Sequence, residues 1–193
     1  LRPTLIAAST HEGEEKMILD AFTSIQKQYT NALLILVPRH LERFKKVKNI
    51  VNTYEFSLAS RSNKTEVTSK TKVLLGDTIG ELNFLYSLAD VAFIGGSLID
   101  HGGQNLLEPS AQSLALLSGP SLRNFQDISS QLLENKGLYI VNNSDEISDR
   151  FIKLMENKPL LTETGRASFK VFKENRGALQ KILSHLERPL KLI

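Results

Sequence analysis

The sequence contains no cysteine and no tryptophan, and only two methionines. Without cysteine, disulfide scaffolds, thiolate nucleophiles and Cys-ligated zinc are all excluded. No apolar run approaches the roughly 18–20 residues that cross a bilayer. No basic-then-apolar segment opens the chain, so secretion is not expected. There is no Pro/Gly-rich linker, no low-complexity tract and no internal repeat. Several enzyme signatures are missing too. No G-x-G-x-x-G follows the first apolar run, and no G-x-x-x-x-G-K-[ST] or H-E-x-x-H occurs anywhere. No Asp-x-Asp pair is present to hold a metal on a nucleotide diphosphate, and no G-x-S-x-G elbow suggests a hydrolase.

What is present is ordinary for a globular protein. Of 193 residues, 41% are hydrophobic and 23% charged, with a net charge of +3. A chain of this length buries roughly 70% of its unfolded surface, so residues 1–193 are expected to form a single domain. The slight basic excess biases the surface toward anionic ligands. The basic residues do not cluster with aromatics, so nucleic acid is not an expected partner. The first residue is Leu, not Met, so a piece of a longer protein is expected.

Short apolar runs alternate with amphipathic stretches. Leu5–Ala8, Leu33–Val37, Glu55–Ala59, Lys72–Leu75, Asp90–Ile94, Leu114–Leu117 and Leu138–Val141 read as strands apolar on both faces, as in a buried parallel sheet. Helical faces recur at Ile18/Ala21/Phe22/Ile25, Leu82/Leu85/Tyr86/Ala89, Ile147/Phe151/Leu154/Met155 and Leu179/Ile182/Leu183/Leu186. The alternation predicts an α/β fold, a Rossmann-like parallel sheet with helices on both faces. Residues 60–70 are the most polar segment and read as an exposed loop. A long, charged last helix is expected over about Thr164 to Leu186.

Open parallel sheets bind ligands at the carboxyl ends of their strands, so the loops after the apolar runs carry the information. These are Ser9–Glu15, Pro38–His40, Gly76–Glu81, Gly95–Pro109 and Ser118–Phe125, and three of the four histidines (His11, His40, His101) fall within them. Ser9-x-x-Glu12 and Thr78-x-x-Glu81 read equally as helix capping boxes. Pro38–His40 reads either as a ligand loop or as a solvated helix start, and His185 reads as a surface residue. The fifth loop is the most informative. Gly95-Gly96 and Gly102-Gly103 flank His101 and lead through Gln104-Asn105 into an expected helix. Backbone N–H groups at such a start favour an anion such as phosphate. Glu108, one turn on, is placed to accept from the two hydroxyls of a ribose. Together these describe a nucleotide pocket.

The set S-T-H-E-G-E-E, P-R-H-x-E-R-F, L-G-D-T-x-G-E-L, A-D-V-A-F-I-G-G-S and H-G-G-x-N-x-L-E-P resembles the 3-deoxy-D-manno-octulosonic acid (Kdo) transferases over about Thr4 to Leu186. The resemblance implies the C-terminal lobe of a GT-B glycosyltransferase that holds CMP-Kdo and transfers Kdo to a lipid A precursor in lipopolysaccharide synthesis. It assigns Pro38 and Arg39 to the donor, with Arg39 near the phosphate. Ile79, Gly80 and Glu81 fall on the cytidine side, and Asn105 and Glu108 on phosphate and ribose. His11, Glu12, His40, Ser97, His101, Gly102, Gly103 and Gln104 are accessory candidates. The family often has Pro where this chain has Asp100 and His where it has Gln104. Asp100 would therefore have to point away from the anion site.

By the same resemblance the transfer is inverting and needs no metal or other cofactor. The general base and the acceptor contacts belong to an N-terminal domain outside these residues, so the chain alone is expected to bind nucleotide without turnover. The whole enzyme is expected at the cytoplasmic face of the inner membrane of a Gram-negative bacterium, touching the membrane through that other half. Two other readings stay open: a non-catalytic nucleotide-binding module, and another GT-B enzyme using a UDP-sugar.

Overall fold

The structure is a computed structural model that describes residues 2–176. The described residues form seven strands: β1 (Thr4–Thr10), β2 (Leu33–Pro38), β3 (Leu58–Ser60), β4 (Val73–Leu75), β5 (Val91–Ile94), β6 (Ala115–Ser118) and β7 (Leu138–Ile140). Between and after them lie α1 (Glu14–Gln28), α2 (Phe44–Asn52), α3 (Leu82–Tyr86), α4 (Leu107–Ala111), α5 (Gln126–Glu134), α6 (Ser144–Glu156) and α7 (Lys158–Arg176). The strands make one sheet in the order β3-β4-β2-β1-β5-β6-β7, with every pairing parallel. The α/β reading is thus correct, and so are the positions of all seven strands. The third begins later than expected, at Leu58, because Glu55 adopts a left-handed φ of 57° that a strand cannot accommodate.

Alternation along each strand builds two cores. Leu5, Ala7, Leu34, Leu36, Phe93 and Leu117 face Ile18, Phe22, Val47, Val51 and Phe151 from α1, α2 and α6. Ile6, Ala8, Ile35, Ile94 and Leu116 face Leu85, Tyr86, Leu106 and Leu132 on the other side. Both faces are covered, which is why the strands are nearly continuous apolar runs.

The last helix departs from the expectation. It begins at Lys158 rather than near Thr164, and it buries Thr164, Gly165, Ser168 and Val171. Leu160 and Leu161 pack on the first core while Val171 belongs to the second, so α7 crosses from one face of the sheet to the other. Small residues permit the crossing. A Cβ on Gly165 would run into the Ser113 carbonyl, and Ser168 Oγ donates to the Leu114 carbonyl at 2.7 Å. The apolar face at Leu179–Leu186 and His185 lie outside the described residues.

β1 is central. The chain leaves it toward β2, β4 and β3, then returns to β5 on its other side. The strand order therefore reverses between β1 and β5, and the crevice above their carboxyl ends is the expected ligand position of such a sheet. There the backbone is irregular. The β1–β2 register slips between Ala8 and Thr10, and Ser9 adopts a φ of 55°. Gly95 makes room for this bulge, because a Cβ there would come within 2.7 Å of Thr10 Cα.

Candidate functional site

The loop after β2 and the loop after β4 enclose a cleft of about 290 Å³. Its walls include Ser9, Pro38, Arg39, Leu41, Phe44, Ile79, Gly80 and Leu82. Four residues chosen from sequence, Pro38, Arg39, Ile79 and Gly80, thus meet in one place although 40 positions separate the two pairs. Ile79 is 77% exposed at the rim, and Gly80 holds a φ of 82° with nothing within 4 Å of where a Cβ would stand. Glycine is needed there for its backbone conformation and not for space. The Arg39 amide is tied to the Thr10 carbonyl at 3.0 Å, while its exposed guanidinium has no partner among the described residues. His40 is also exposed and precedes a short 3-10 turn, Leu41–Arg43, so this segment is a solvated helix start whose Pro38 and Arg39 also line the cleft. An apolar slot with an unpaired cation at its edge suits a flat base followed by a phosphate.

Glu81 stands beside this cleft but its carboxylate is engaged. Arg61 donates to both oxygens, at 2.6 and 3.1 Å, and Thr78 Oγ donates to one of them. Those bonds, Arg61's first, lower its pKa to about 2. Neither anticipated capping box forms. The Thr78–Glu81 bond joins side chain to side chain, and α3 has no side-chain cap. Glu12 is exposed and pairs with Lys46 and with Arg43 at 3.2 Å, while α1 starts after Gly13 with no side-chain cap.

Sequence reasoning missed the group that organises the crevice between β1 and β5. Glu14 is fully buried, and its carboxylate accepts four backbone amides. His11 and Gly96 donate to Oε2 at 2.9 and 2.8 Å, and Ser97 and Leu98 donate to Oε1 at 3.0 and 3.1 Å. Beside it Glu15 is buried too, held by Arg43 at 2.9 Å and Thr10 Oγ at 3.2 Å. Burial pushes the Glu15 carboxyl up, against the pull of Arg43. Each glutamate has one local partner, the His11 amide for Glu14 and Thr10 Oγ for Glu15, but the partners that bury them come from the loops after β5 and β2, which nothing nearby in the sequence marks.

The segment 102–105 needs correction. The helix after it begins at Leu107 and is five residues long, so 102–105 is loop. Gly102 and Gly103 are buried, and their amides donate to Ser121 Oγ at 3.0 Å and to the Gly96 carbonyl at 2.8 Å. In this conformation these two N–H groups are spent inside the protein and cannot cradle a phosphate. The amides of Gln104 and Asn105 have no acceptor among the described residues. Asn105 Oδ1 accepts the Leu107 amide at 3.0 Å, and its Nδ2 donates to Glu108 Oε1 at 2.9 Å, which orients that carboxylate and leaves Oε2 free. Glu108 belongs to α4, which packs against α3, the helix whose Leu82 and Leu85 line the cleft. Burial, and then the nearby charge of Glu108, push the Tyr86 phenol up.

The remaining accessory candidates divide. Ser97 is fully buried; its Oγ donates to the Ile94 carbonyl at 2.6 Å and accepts the Gly119 amide at 2.8 Å, so it is a structural staple. Asp100 is exposed and pairs with Arg123 and Ser121. The three loop histidines gather: His11 stacks on His101 at 4.5 Å and meets His40 edge-on at 5.4 Å, while its Nε2 lies 3.2 Å from Gln104 Nε2. Burial first, and then His101, lower the His11 pKa. Among the described residues no group of three or more His, Cys, Asp or Glu is disposed to hold a metal ion, and no helix is long and apolar enough to cross a membrane.

No protein-family model matches the chain. The catalytic domain of a cholesterol-α-glucosyltransferase from Helicobacter pylori shares the fold, with a TM-score of 0.57 at 13% identity over 89% of this chain and 99% of that one. The class is the Rossmann-like C-terminal lobe of a GT-B glycosyltransferase. The crystal structure of the C-terminal CMP-Kdo binding domain of WaaA from Acinetobacter baumannii agrees more closely. Its TM-score is 0.84 at 31% identity, over 88% of this chain and 89% of that one. The 3-deoxy-D-manno-octulosonic acid transferase of Haemophilus influenzae is 41% identical over 187 residues, 96% of this chain and 44% of that protein. The enzyme of the same name from Aquifex aeolicus is 33% identical, over 80% of this chain and 42% of that protein. The chain belongs to the Kdo transferase family and corresponds to its C-terminal domain. It spans less than half the length of these two curated relatives.

Proposed function

We propose that this chain binds CMP-Kdo and serves as the donor half of an enzyme that moves Kdo to a lipid A precursor in lipopolysaccharide synthesis. The observation that carries the reading is the cleft between Pro38–Arg39 and Ile79–Gly80, with the unpaired Arg39 guanidinium at its edge. Cytosine enters the apolar slot against Ile79 and Gly80. Arg39 and the free amides of Gln104 and Asn105 meet the phosphate, and Glu108 accepts from the ribose. His11, His40 and His101 border the sugar side.

The reaction is an inverting displacement without a metal. A bond from the acceptor oxygen to the anomeric carbon forms as the bond from that carbon to the CMP phosphate oxygen breaks. The acceptor proton passes to a base in an N-terminal acceptor domain, which also meets the inner membrane at its cytoplasmic face. Arg39 stabilises the departing CMP, a role worth roughly 2.7–4 kcal/mol for one preorganised donor in other enzymes.

Calorimetry with CMP and with cytidine tests the assignment. Arg39→Ala should weaken CMP far more than cytidine, and equal losses would remove Arg39 from the phosphate. Glu108→Ala should weaken both ligands with the fold intact. UDP serves as the control for another sugar-nucleotide class, since a bound nucleotide stabilises the folded state by RT ln(1 + [L]/Kd) and the tighter ligand gives the larger rise in melting temperature at equal concentration. The isolated chain should bind CMP and transfer no sugar.

A further inference from the structure

The crevice between β1 and β5 is where an open parallel sheet with this strand order receives the phosphates of a nucleotide. Successive backbone N–H groups in turn conformations form concave anion sites of this kind. Here such a nest exists. The amides of Gly96, Ser97 and Leu98 converge from the end of β5, helped by the left-handed φ of 67° at Gly96, and the His11 amide joins them from the end of β1. The nest is full. The chain's own Glu14 carboxylate sits in it with four N–H···O bonds of 2.8–3.1 Å and no exposed surface. A second carboxylate, Glu15, is buried next door and pairs with Arg43, whose charge Glu12 also shares, so that guanidinium already faces two carboxylates. The unpaired guanidinium lies instead at the other cleft, on Arg39.

We infer that Glu14 is a built-in anion occupying the phosphate position of the crevice, so that a donor nucleotide with one phosphate fits and one with two is turned away. The inference rests on the reading of the cleft as a CMP site and adds to it the residue that sets the number of phosphates. A nucleoside monophosphate reaches only Arg39 and the amides of Gln104 and Asn105. The second phosphate of a diphosphate would extend toward four amides that are already taken and two carboxylates that repel it. Glu14 touches no reacting atom; it is a positioning and specificity residue.

The experiment compares CMP with CDP, which share base and ribose, by calorimetry on the 193-residue chain. The wild type should bind CMP at least about tenfold more tightly than CDP, a difference of about 1.4 kcal/mol. Glu14→Ala empties the nest and should reduce that preference to about unity. It should also acquire a rise in melting temperature with millimolar inorganic phosphate that the wild type lacks, while the loss of the CMP preference is the readout that a merely structural role would not move. Glu14→Gln removes the charge but keeps the size of the side chain, and it should likewise bring the CMP and CDP affinities together should the alanine variant fail to fold. Equal binding of CMP and CDP by the wild type overturns the inference, as does a Glu14 variant that keeps the wild-type preference. If the wild type binds neither nucleotide, the CMP reading fails instead. The phosphate response of Glu14→Ala then decides the anion role of Glu14 by itself: a rise upholds it and no rise overturns it.

Discussion

Arg39 and Arg43 lie four residues apart after β2 and are used in opposite ways. Arg43 turns inward, 12% exposed, and is shared by Glu12 and the buried Glu15. Arg39 lies at the lip of the cleft and is paired with nothing among the described residues. The same contrast runs along the carboxyl edge of the sheet. Over β1, β5 and β6 much of the loop polarity is met within the chain: Glu14 takes four amides, Ser97 links two loops, and Arg123 holds Asp100, while Ser118 Oγ and the amides of Gln104 and Asn105 have no partner among the described residues. Over β2 and β4 it leaves a cation, an exposed isoleucine and an open glycine facing solvent. The edge is thus split into a part that keeps its shape and a part that keeps its partners free. Preorganised binding needs both, because free groups select a ligand only when their supports do not move.

Matched substitutions test this division. The largest expected effect is on stability. Arg43→Ala removes the partner of a buried carboxylate and should cost about 3–5 kcal/mol in urea denaturation, the usual result of breaking a buried pair. Gly119→Ala belongs with it, since a Cβ there would run into the Ser97 carbonyl; overpacking of this kind costs about 1–3 kcal/mol or more. Arg39→Ala should leave the denaturation midpoint where it is and cost about 1.5–3 kcal/mol in CMP binding, as expected for hydrogen bonds to a charged group. If Arg39→Ala unfolds the protein, or Arg43→Ala leaves it as stable as before, the division is wrong. Gly80→Ala should cost about 1 kcal/mol in stability, because the strain lies in its backbone and not in its surroundings.

The smallest effect concerns pH. The folded His11 has a lowered pKa, with burial the main cause and His101 the next. Its neutral form therefore contributes stability in full above the unfolded value of about 6.5. That contribution is lost as pH falls below 6.5 and through the folded pKa. Thermal melts between pH 7.5 and 5 should decline for the wild type and decline less for His11→Gln. Glu15, raised by burial, acts with the opposite sign nearer pH 4.5 and is common to both proteins, so the difference between the two curves isolates His11.

Much of the fold was legible because its signals are local. A strand buried on both faces must be apolar throughout, and an amphipathic helix must repeat its apolar residues near every 3.6 positions. Ile18, Ala21, Phe22 and Ile25 could be assigned to the core on that basis alone. The cleft residues were legible for a different reason. The loops Pro38–His40 and Gly76–Glu81 stand at the ends of strands that pair with one another, and strand ends on one edge must lie together, while the choice of Pro38, Arg39, Ile79 and Gly80 within them came from the family resemblance. Segment 102–105 misled because glycines that free a backbone for a ligand also free it to pack against its own chain. Only Ser121 and Gly96 show which use was made of Gly102 and Gly103.

The sequence alone determined the parallel α/β architecture, the edge on which chemistry gathers and the family motifs, since each depends on residues near one another in the chain. The tertiary structure decided which polar groups are spent and which are free. Glu14 and Glu12 are indistinguishable as letters, yet one lies in a four-amide nest 82 or more residues away from three of its donors while the other lies in solvent. Hydrogen-bond satisfaction is a property of position in space, and contacts over such separations leave no periodic trace in the order of residues.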